Sequence, residues 1–285
     1  MAVKIITDSA SDLPKSLVEE YDIDVVPFVV LIDNEEYYDG ETIGPDELYA
    51  AMKDGKTPRT AQVPYERMKE TFEKYAKQNE SALYIGFSSA LSGTYQTAEL
   101  IRNELREDYP SFDFDTIDSK GASIGEGFMV LDAARMAKEG KSKQEILDRT
   151  RRNIEQMDYL FTVDNLEYLQ RGGRIGKAAA FFGGLLNIKP LLSVEEGKLV
   201  PIEKIRGRKK VYPRIVELLK ERGGDLQGQT IGLPHADSPD AVEKLKSMIR
   251  EETGATDFME LPIGAVIGSH AGPGTFAIVY RKSST

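Results

Sequence analysis

Along the first half of the chain, short apolar runs alternate with longer stretches in which apolar residues recur every three or four positions. The runs are strand-like. Val3 to Thr7 ends in the polar cluster Thr7-Asp8-Ser9, Ala82 to Gly86 precedes a serine-rich loop, and Phe112 to Ile117 precedes Asp118-Ser119. Asp24 to Ile32 reads as one buried strand with an edge or bulge at Pro27, because proline cannot donate to a sheet ladder. Between the runs lie helical patterns. Asp12 reads as the cap of a helix with Pro14 in its first turn, and Pro45 opens another that reaches about Lys53. From Pro64 to about Gln78, Met68, Phe72, Tyr75 and Ala76 share one face. Further helices are expected to about Arg106, from Ser123 to Lys138, and from Ser142 to Met157. Repeated strand–loop–helix units predict an α/β fold, with a mostly parallel sheet carrying helices on both faces.

The second half has a different rhythm. Tyr159 to Val163, Lys189 to Val194, Lys198 to Ile205 and Phe276 to Arg281 read as strands, with Glu195-Glu196-Gly197 as a hairpin turn. Thr230 to Pro234 is a further strand, followed by a helix from Pro239 to Glu252. Two domains are therefore expected, an α/β unit over residues 1–157 and an α+β unit over 158–285. Ala178 to Leu186 is apolar on every side, which marks either a core helix or the wall of an apolar cavity.

Composition narrows the classes of function. The formal net charge is −10 over 285 residues, which disfavours nucleic-acid binding and docking on an anionic bilayer through a broad basic surface. There are no cysteines, so disulfides, cysteine-bearing zinc sites and thiol catalysis are excluded. No run approaches the roughly 20 apolar residues needed to span a bilayer. The first residues lack the pattern of a signal peptide, so a cytoplasmic location is expected.

Candidate chemistry gathers where strands end, because ligands of open α/β sheets bind beyond the carboxyl ends of the strands. Ser88-Ser89-Ala90-Leu91-Ser92-Gly93-Thr94-Tyr95 follows a strand and opens a helix. Its free N–H groups and the helix dipole suit an anion, and Gly93 admits close approach; Ser92 could equally just cap its own helix. Thr60 lies in the loop Thr60-Ala61-Gln62, and His270 stands beside the Gly272-Pro273-Gly274 turn. Arg171-Gly172-Gly173-Arg174 and Arg206-Gly207-Arg208-Lys209-Lys210 are basic clusters, but neither fits a phosphate-binding P-loop or a dinucleotide fingerprint. Arg206, directly after a strand, suits a ligand or an interface.

Taken together and in order, these stretches resemble the DegV family of bacterial fatty-acid-binding proteins. The matching segments are Ile6-Thr7-Asp8-Ser9 with Asp12-Leu13-Pro14, Thr60-Ala61-Gln62, Ser88-Ser89 with Leu91-Ser92-Gly93-Thr94-Tyr95, Leu169 to Ile175, Lys189-Pro190 and His270 with Gly272-Pro273-Gly274. Ala61 and Val63 depart from the commoner Thr-Ser-Gln-Pro form of the second segment, with the proline delayed to Pro64. The resemblance implies a bound long-chain fatty acid as ligand at the junction of the two domains, its tail buried between or within them, with no cofactor. It also implies a carboxylate held by Thr60, Ser92 and the backbone at Gly93, with His270 and Arg206 completing a polar network. It further implies a carrier with no catalytic residues or metal, whose bound acid a separate ATP-dependent fatty acid kinase phosphorylates for phospholipid synthesis. Transient membrane contact is compatible with such a carrier. Two rivals differ in class. A serine hydrolase would use Ser92 as nucleophile and His270 as base, although Gly-x-Ser-x-Gly is missing. A kinase subunit for a small hydroxylated substrate would follow the related fold of dihydroxyacetone kinases, but no nucleotide motif supports it.

Overall fold

The computed structural model describes residues 3–176, 181 and 188–283. The apolar run from Ala178 to Leu186 lies outside the described residues except for Phe181.

The first half builds a four-stranded, fully parallel sheet in the order β2-β1-β6-β7. Its strands are β1 (Lys4–Asp8), β2 (Asp24–Val26), β6 (Ala82–Gly86) and β7 (Phe114–Asp118). Each strand is short, and the central β6, Ala-Leu-Tyr-Ile-Gly, is buried at every position, as an inner strand of a sheet covered on both faces must be. One face is covered by α3 (Tyr65–Gln78) and α4 (Thr94–Asp108), through Met68, Phe72, Ile101 and Leu105. The other is covered by α1 (Lys15–Glu20), α5 (Ile124–Lys138) and α6 (Lys143–Gln156), through Val130, Ala134, Ile146 and Leu147. This is the expected sheet with helices on both faces.

The expected single strand Asp24–Ile32 is in fact two. The chain leaves the parallel sheet after Val26 and re-forms as β3 (Val29–Ile32), the centre of a small antiparallel sheet ordered β4-β3-β5. Pro27, with no N–H to continue either ladder, falls at the crossing. β4 (Glu35–Tyr38) follows the turn at Asp33-Asn34, and β5 (Arg59–Ala61) occupies what reads as the Thr60 loop; α2 (Pro45–Lys53) connects them. Both strands are short enough for pairing with β3, rather than their own composition, to decide their state.

The second half forms a six-stranded sheet, β10-β9-β8-β13-β11-β12. Its strands are β8 (Met157–Thr162), β9 (Ile188–Glu195), β10 (Lys198–Arg206), β11 (Ile231–His235), β12 (Phe258–Pro262) and β13 (Phe276–Arg281). All pairings are antiparallel except β11 with β12, which are joined by a crossover through α9 (Pro239–Thr253). Between β8 and β9 stands a short α7 (Glu167–Arg171), and α8 (Val211–Arg222) packs with α9 on the sheet around Ile215, Leu219, Val242 and Leu245. The strands of the four-stranded sheet all precede residue 157, and those of the six-stranded sheet all begin at it or after it.

One helix crosses back. α10 (Ala265–Ala271) belongs to the second half of the sequence, yet it packs on α2, β3 and β5 of the first. Its sequence Gly264-Ala-Val-Ile-Gly-Ser-His-Ala271 is too short and glycine-rich to announce a helix, and tertiary contacts supply what propensity lacks.

Candidate functional site

A cavity of about 420 Å³ lies between the two sheets. Its walls are mostly apolar: Phe28 and Phe87 from the first half, Phe161, Val194, Leu199 and Val279 from the second, and Val266, Ile267 and Ala271 from α10. Polar groups gather at one part of the wall. There Thr60, Gln62, Ser92, Gly93, Arg174 and His270 face the same space. Thr60, Arg174 and His270 also line a second cavity of about 420 Å³, whose walls include Thr57, Arg59, Arg171 and Ser269. An apolar chamber thus meets a polar, arginine-bearing one across three side chains.

Each polar residue is positioned by its element. Thr60 sits at the middle of β5, opposite Val30 of β3. His270 is in the last turn of α10, and its Nε2 lies 2.7 Å from Thr60 Oγ1. The two residues are 210 apart in sequence and come together because α10 crosses back onto β5. Burial, followed by the positive Arg174, pushes the His270 imidazolium down to a pKa of about 4. The ring is therefore neutral at neutral pH, and it can hold the Thr60 hydroxyl in one orientation.

Ser92 and Gly93 stand at the start of α4, with Gly93 as its cap residue. The Ser92 hydroxyl lies 3.0 Å from Thr94 Oγ1 and accepts from the Thr94 N–H at 3.2 Å. Local capping and cavity lining are thus combined in one side chain. The φ of Gly93 is an ordinary −78°, so the residue is not required by backbone conformation. What its missing side chain leaves room for is Gln62, whose Nε2 would lie 2.4 Å from a Cβ at position 93. Arg174 donates through Nε to the Leu91 carbonyl at 3.0 Å, which ties the loop before α4 to the loop after α7.

Arg206 is elsewhere. It ends β10 opposite Ile188, is exposed, and lines neither cavity. The arginine beside His270 is Arg174, which a sequence reading leaves in a generic basic cluster. The only local signal for it is the Gly172-Gly173 pair that precedes it. Gly172 packs so tightly on His270 that an added Cβ would lie 2.0 Å from the imidazole Nδ1. In the other basic cluster Arg208 is not simply solvated, since it pairs with Asp164, as does Lys189.

The strand-end cluster Thr7-Asp8-Ser9 also lies outside the cavity wall. Asp8 is fully buried and accepts from Tyr84 Oη at 2.6 Å, Phe87 N–H at 2.9 Å and Ala10 N–H at 3.1 Å. Burial raises its pKa to about 6. Thr7 donates to the Ile85 carbonyl, and the same hydroxyl lies 3.1 Å from Oε1 of the buried Glu126, whose pKa burial raises well above the usual carboxylate range. Asp12 does not cap the helix that follows it. It adopts a left-handed conformation, and its carboxylate accepts from Ser123 Oγ and from the Gly264 N–H.

The geometry also bears on hydrolysis. His270 is hydrogen-bonded to Thr60 and Ser92 to Thr94, so no serine–imidazole pair of the kind needed for nucleophilic attack is formed. Among the described residues no group of three or more His, Asp or Glu is placed to hold a metal ion, and no helix is long and apolar enough to cross a membrane.

Comparison with known proteins gives a uniform result. The family described as "Uncharacterised protein, DegV family" matches residues 2–283. A DegV domain-containing protein of Clostridium perfringens is 43% identical over 279 residues, covering 97% of this chain and 96% of its own. A DegV family protein of Thermus thermophilus, solved as a fatty-acid-binding protein, is 32% identical with a TM-score of 0.89, covering 99% of this chain and 100% of its own. A stearic-acid-binding protein of Eubacterium ventriosum is 26% identical with a TM-score of 0.88, covering 98% of each chain.

Proposed function

This chain belongs to the DegV family, and we propose that it binds one long-chain fatty acid, tail in the apolar cavity and carboxylate at Thr60, Ser92 and Gly93. The observation that carries the proposal is the junction of the two cavities at Thr60, Arg174 and His270. It offers an apolar volume for the chain and a cluster of donors where that volume ends. The fatty-acid-binding relatives of the same fold support the same ligand class.

Energetics divide the work between the two ends. Burying about fifteen methylenes at roughly 0.8 kcal/mol each contributes on the order of 12 kcal/mol before the cost of ordering ligand and protein. The tail therefore supplies affinity. The carboxylate needs donors, because a buried charge without them is strongly unfavourable. A neutral His270 donating from Nε2 to Thr60 Oγ1 leaves the threonine hydroxyl proton free for the ligand. Ser92 Oγ and the Gly93 N–H complete the cradle.

We further propose that the protein is a carrier rather than an enzyme, presenting the carboxylate to a separate ATP-dependent kinase. A carboxylate oxygen would attack the γ-phosphorus of ATP held by that partner, giving an acyl phosphate and ADP. The second, arginine-lined cavity supports this reading, since it opens on the head-group residues from the other side. Arg206, exposed on β10, is assigned to contact with that partner rather than with the ligand.

Mass spectrometry of the purified, denatured protein tests the binding reading by releasing a fatty acid of defined length. A protein that emerges empty and takes up no palmitate would overturn it. For the carrier reading, Arg206→Ala is expected to slow phosphorylation of bound acid by the kinase while leaving palmitate affinity unchanged. A loss of affinity equal to the loss of transfer would return Arg206 to the ligand.

A further inference from the structure

We infer that Asp12 and Asp39 are positioning residues for the head-group site: they cap α10 from the opposite half of the molecule and thereby set where His270 stands against Thr60. The inference rests on the proposed fatty-acid site for its consequence, but not for its geometry.

α10 has seven residues, too few to be stable alone, so its position is dictated by what holds its ends. No side chain of its own caps its N-terminus. Its first N–H groups, which no helix can satisfy internally, are instead taken up by two carboxylates of the first half. The Gly264 N–H donates to Asp12 Oδ1 at 3.0 Å, and the Ala265 N–H donates to Asp39 Oδ1 at 3.0 Å. The Val266 N–H also reaches Asp39. Negative charge at this end of a helix opposes the positive end of its dipole.

Both carboxylates are themselves fixed. Asp39 accepts from Ser9 Oγ at 2.9 Å, and the same hydroxyl accepts from the Phe28 N–H. Asp12 accepts from Ser123 Oγ, and both residues hold a positive φ, 52° in each, with Asp12 in the left-handed helical region, which costs energy for a side chain other than glycine. Tyr49 adds a third tie, donating to the Ile263 carbonyl at 2.8 Å. Gly264 fits this seat closely, since a Cβ there would lie 2.4 Å from Asp12 Oδ1. The Ser9 and Asp12 of the sequence motif Thr7-Asp8-Ser9…Asp12 thereby acquire a purpose that the cavity wall does not give them.

From Ala265 to His270 the helix rises about 7–8 Å. A tilt at the capped end is therefore carried to the imidazole, whose Nε2 must stay at hydrogen-bond distance from Thr60 Oγ1. Burial raises the Asp39 pKa to about 6, which still leaves this carboxylate mostly ionised at neutral pH, facing the positive end of the helix.

The test uses the full chain labelled with ¹⁵N-histidine, with His235, the only other histidine, as internal reference. In the ligand-free wild type, His270 should titrate near its depressed value of about 4. Gly264→Ala and Asp39→Ala are expected to shift its Nε2 resonance and move its titration toward that of an exposed imidazole. Bound [1-¹³C]palmitate should then lose about tenfold in affinity, with a broadened carboxyl resonance. Asp39→Asn, which keeps an acceptor oxygen, should restore most of both. Where a variant fails to fold, Ser9→Ala is the gentler version and must shift the same His270 signals by a smaller amount. Folded variants that lower the Tm yet leave the His270 resonance and titration as in the wild type would overturn the inference. Because His270 is read without ligand, wild-type protein that takes up no palmitate defeats the fatty-acid reading alone, whereas unmoved His270 signals defeat the positioning role alone.

Discussion

Two polar clusters meet opposite ends of α10, and they use their hydrogen-bonding capacity in opposite ways. At the cavity, Thr60, Ser92, Gly93 and His270 make few bonds, and each faces open volume. In the other cluster Asp8, Asp12 and Asp39 have both carboxylate oxygens committed to backbone N–H groups and hydroxyls. Both clusters stand near strand ends, where ligands of parallel sheets are expected. Position alone therefore does not separate a binding site from a brace. What separates them is whether donors remain unspent and whether a cavity reaches them.

The contrast predicts different losses. The largest effect is expected from Asp8→Ala, which strands the Tyr84 hydroxyl and the N–H groups of Phe87 and Ala10. It should lower unfolding stability by about 3 kcal/mol or more, read by urea denaturation. Whatever folds should bind palmitate normally; a selective loss of affinity would merge the two clusters into one site. Thr60→Val comes next. It keeps the shape, removes the hydroxyl and leaves the His270 Nε2 without its partner, so palmitate affinity should fall about tenfold to a hundredfold by titration calorimetry. Unchanged affinity would take Thr60 out of the site.

Gly172→Ala sharpens the comparison without removing a polar group. The φ of Gly172 is an ordinary −72°, so only the contact with His270 Nδ1 is at stake. We expect about 1 kcal/mol weaker palmitate binding with a Tm near that of the wild type. Equal loss in both would make the contact structural.

The smallest effects concern pH, where the clusters act with opposite sign. Asp39 is raised from 3.8 to about 6, so the folded state takes up its proton before the unfolded chain does. Its contribution therefore makes the fold more stable as pH falls from about 6 toward 4. His270 is lowered from 6.5 to about 4, so the unfolded chain binds the proton first and stability is lost over the same descent. Between pH 7 and pH 5, Asp39→Asn should shift the Tm trend toward lower stability in acid, and His270→Gln should shift it toward higher stability, each by a few degrees. Parallel curves for wild type and both variants would show that neither group titrates as its burial requires.

The two clusters were unequally legible in the sequence. The parallel sheet and its helices follow from apolar runs and three-to-four spacing, and β6, β7 and α3 fall within a few residues of expectation. Ser92, Thr60 and His270 could be singled out because hydroxyls and an imidazole beside turns and glycines are chemically suggestive. Their meeting could not be derived from local pattern, since α10 is hidden in a glycine-rich segment and β5 in a three-residue one. Asp12 shows the same limit from the other side. Locally it has every mark of a helix cap, and it does cap a helix, but one whose cap residue, Gly264, lies 252 positions away from it. Arg174 stayed undistinguished because its neighbours in space, Leu91 and His270, are remote in sequence.

The long separation between Thr60 and His270 has a kinetic side. Contacts between residues far apart in the chain form slowly, because the intervening loop must be closed before they contribute. The first half can collapse around β1 and β6 early, but the chamber has no closed wall until α10 has returned to β5. During synthesis, Phe28 and Phe87 would face water with their future partners still unmade. A ligand able to fill that surface would therefore act during maturation as well as afterwards, by favouring the last docking step over association with other chains.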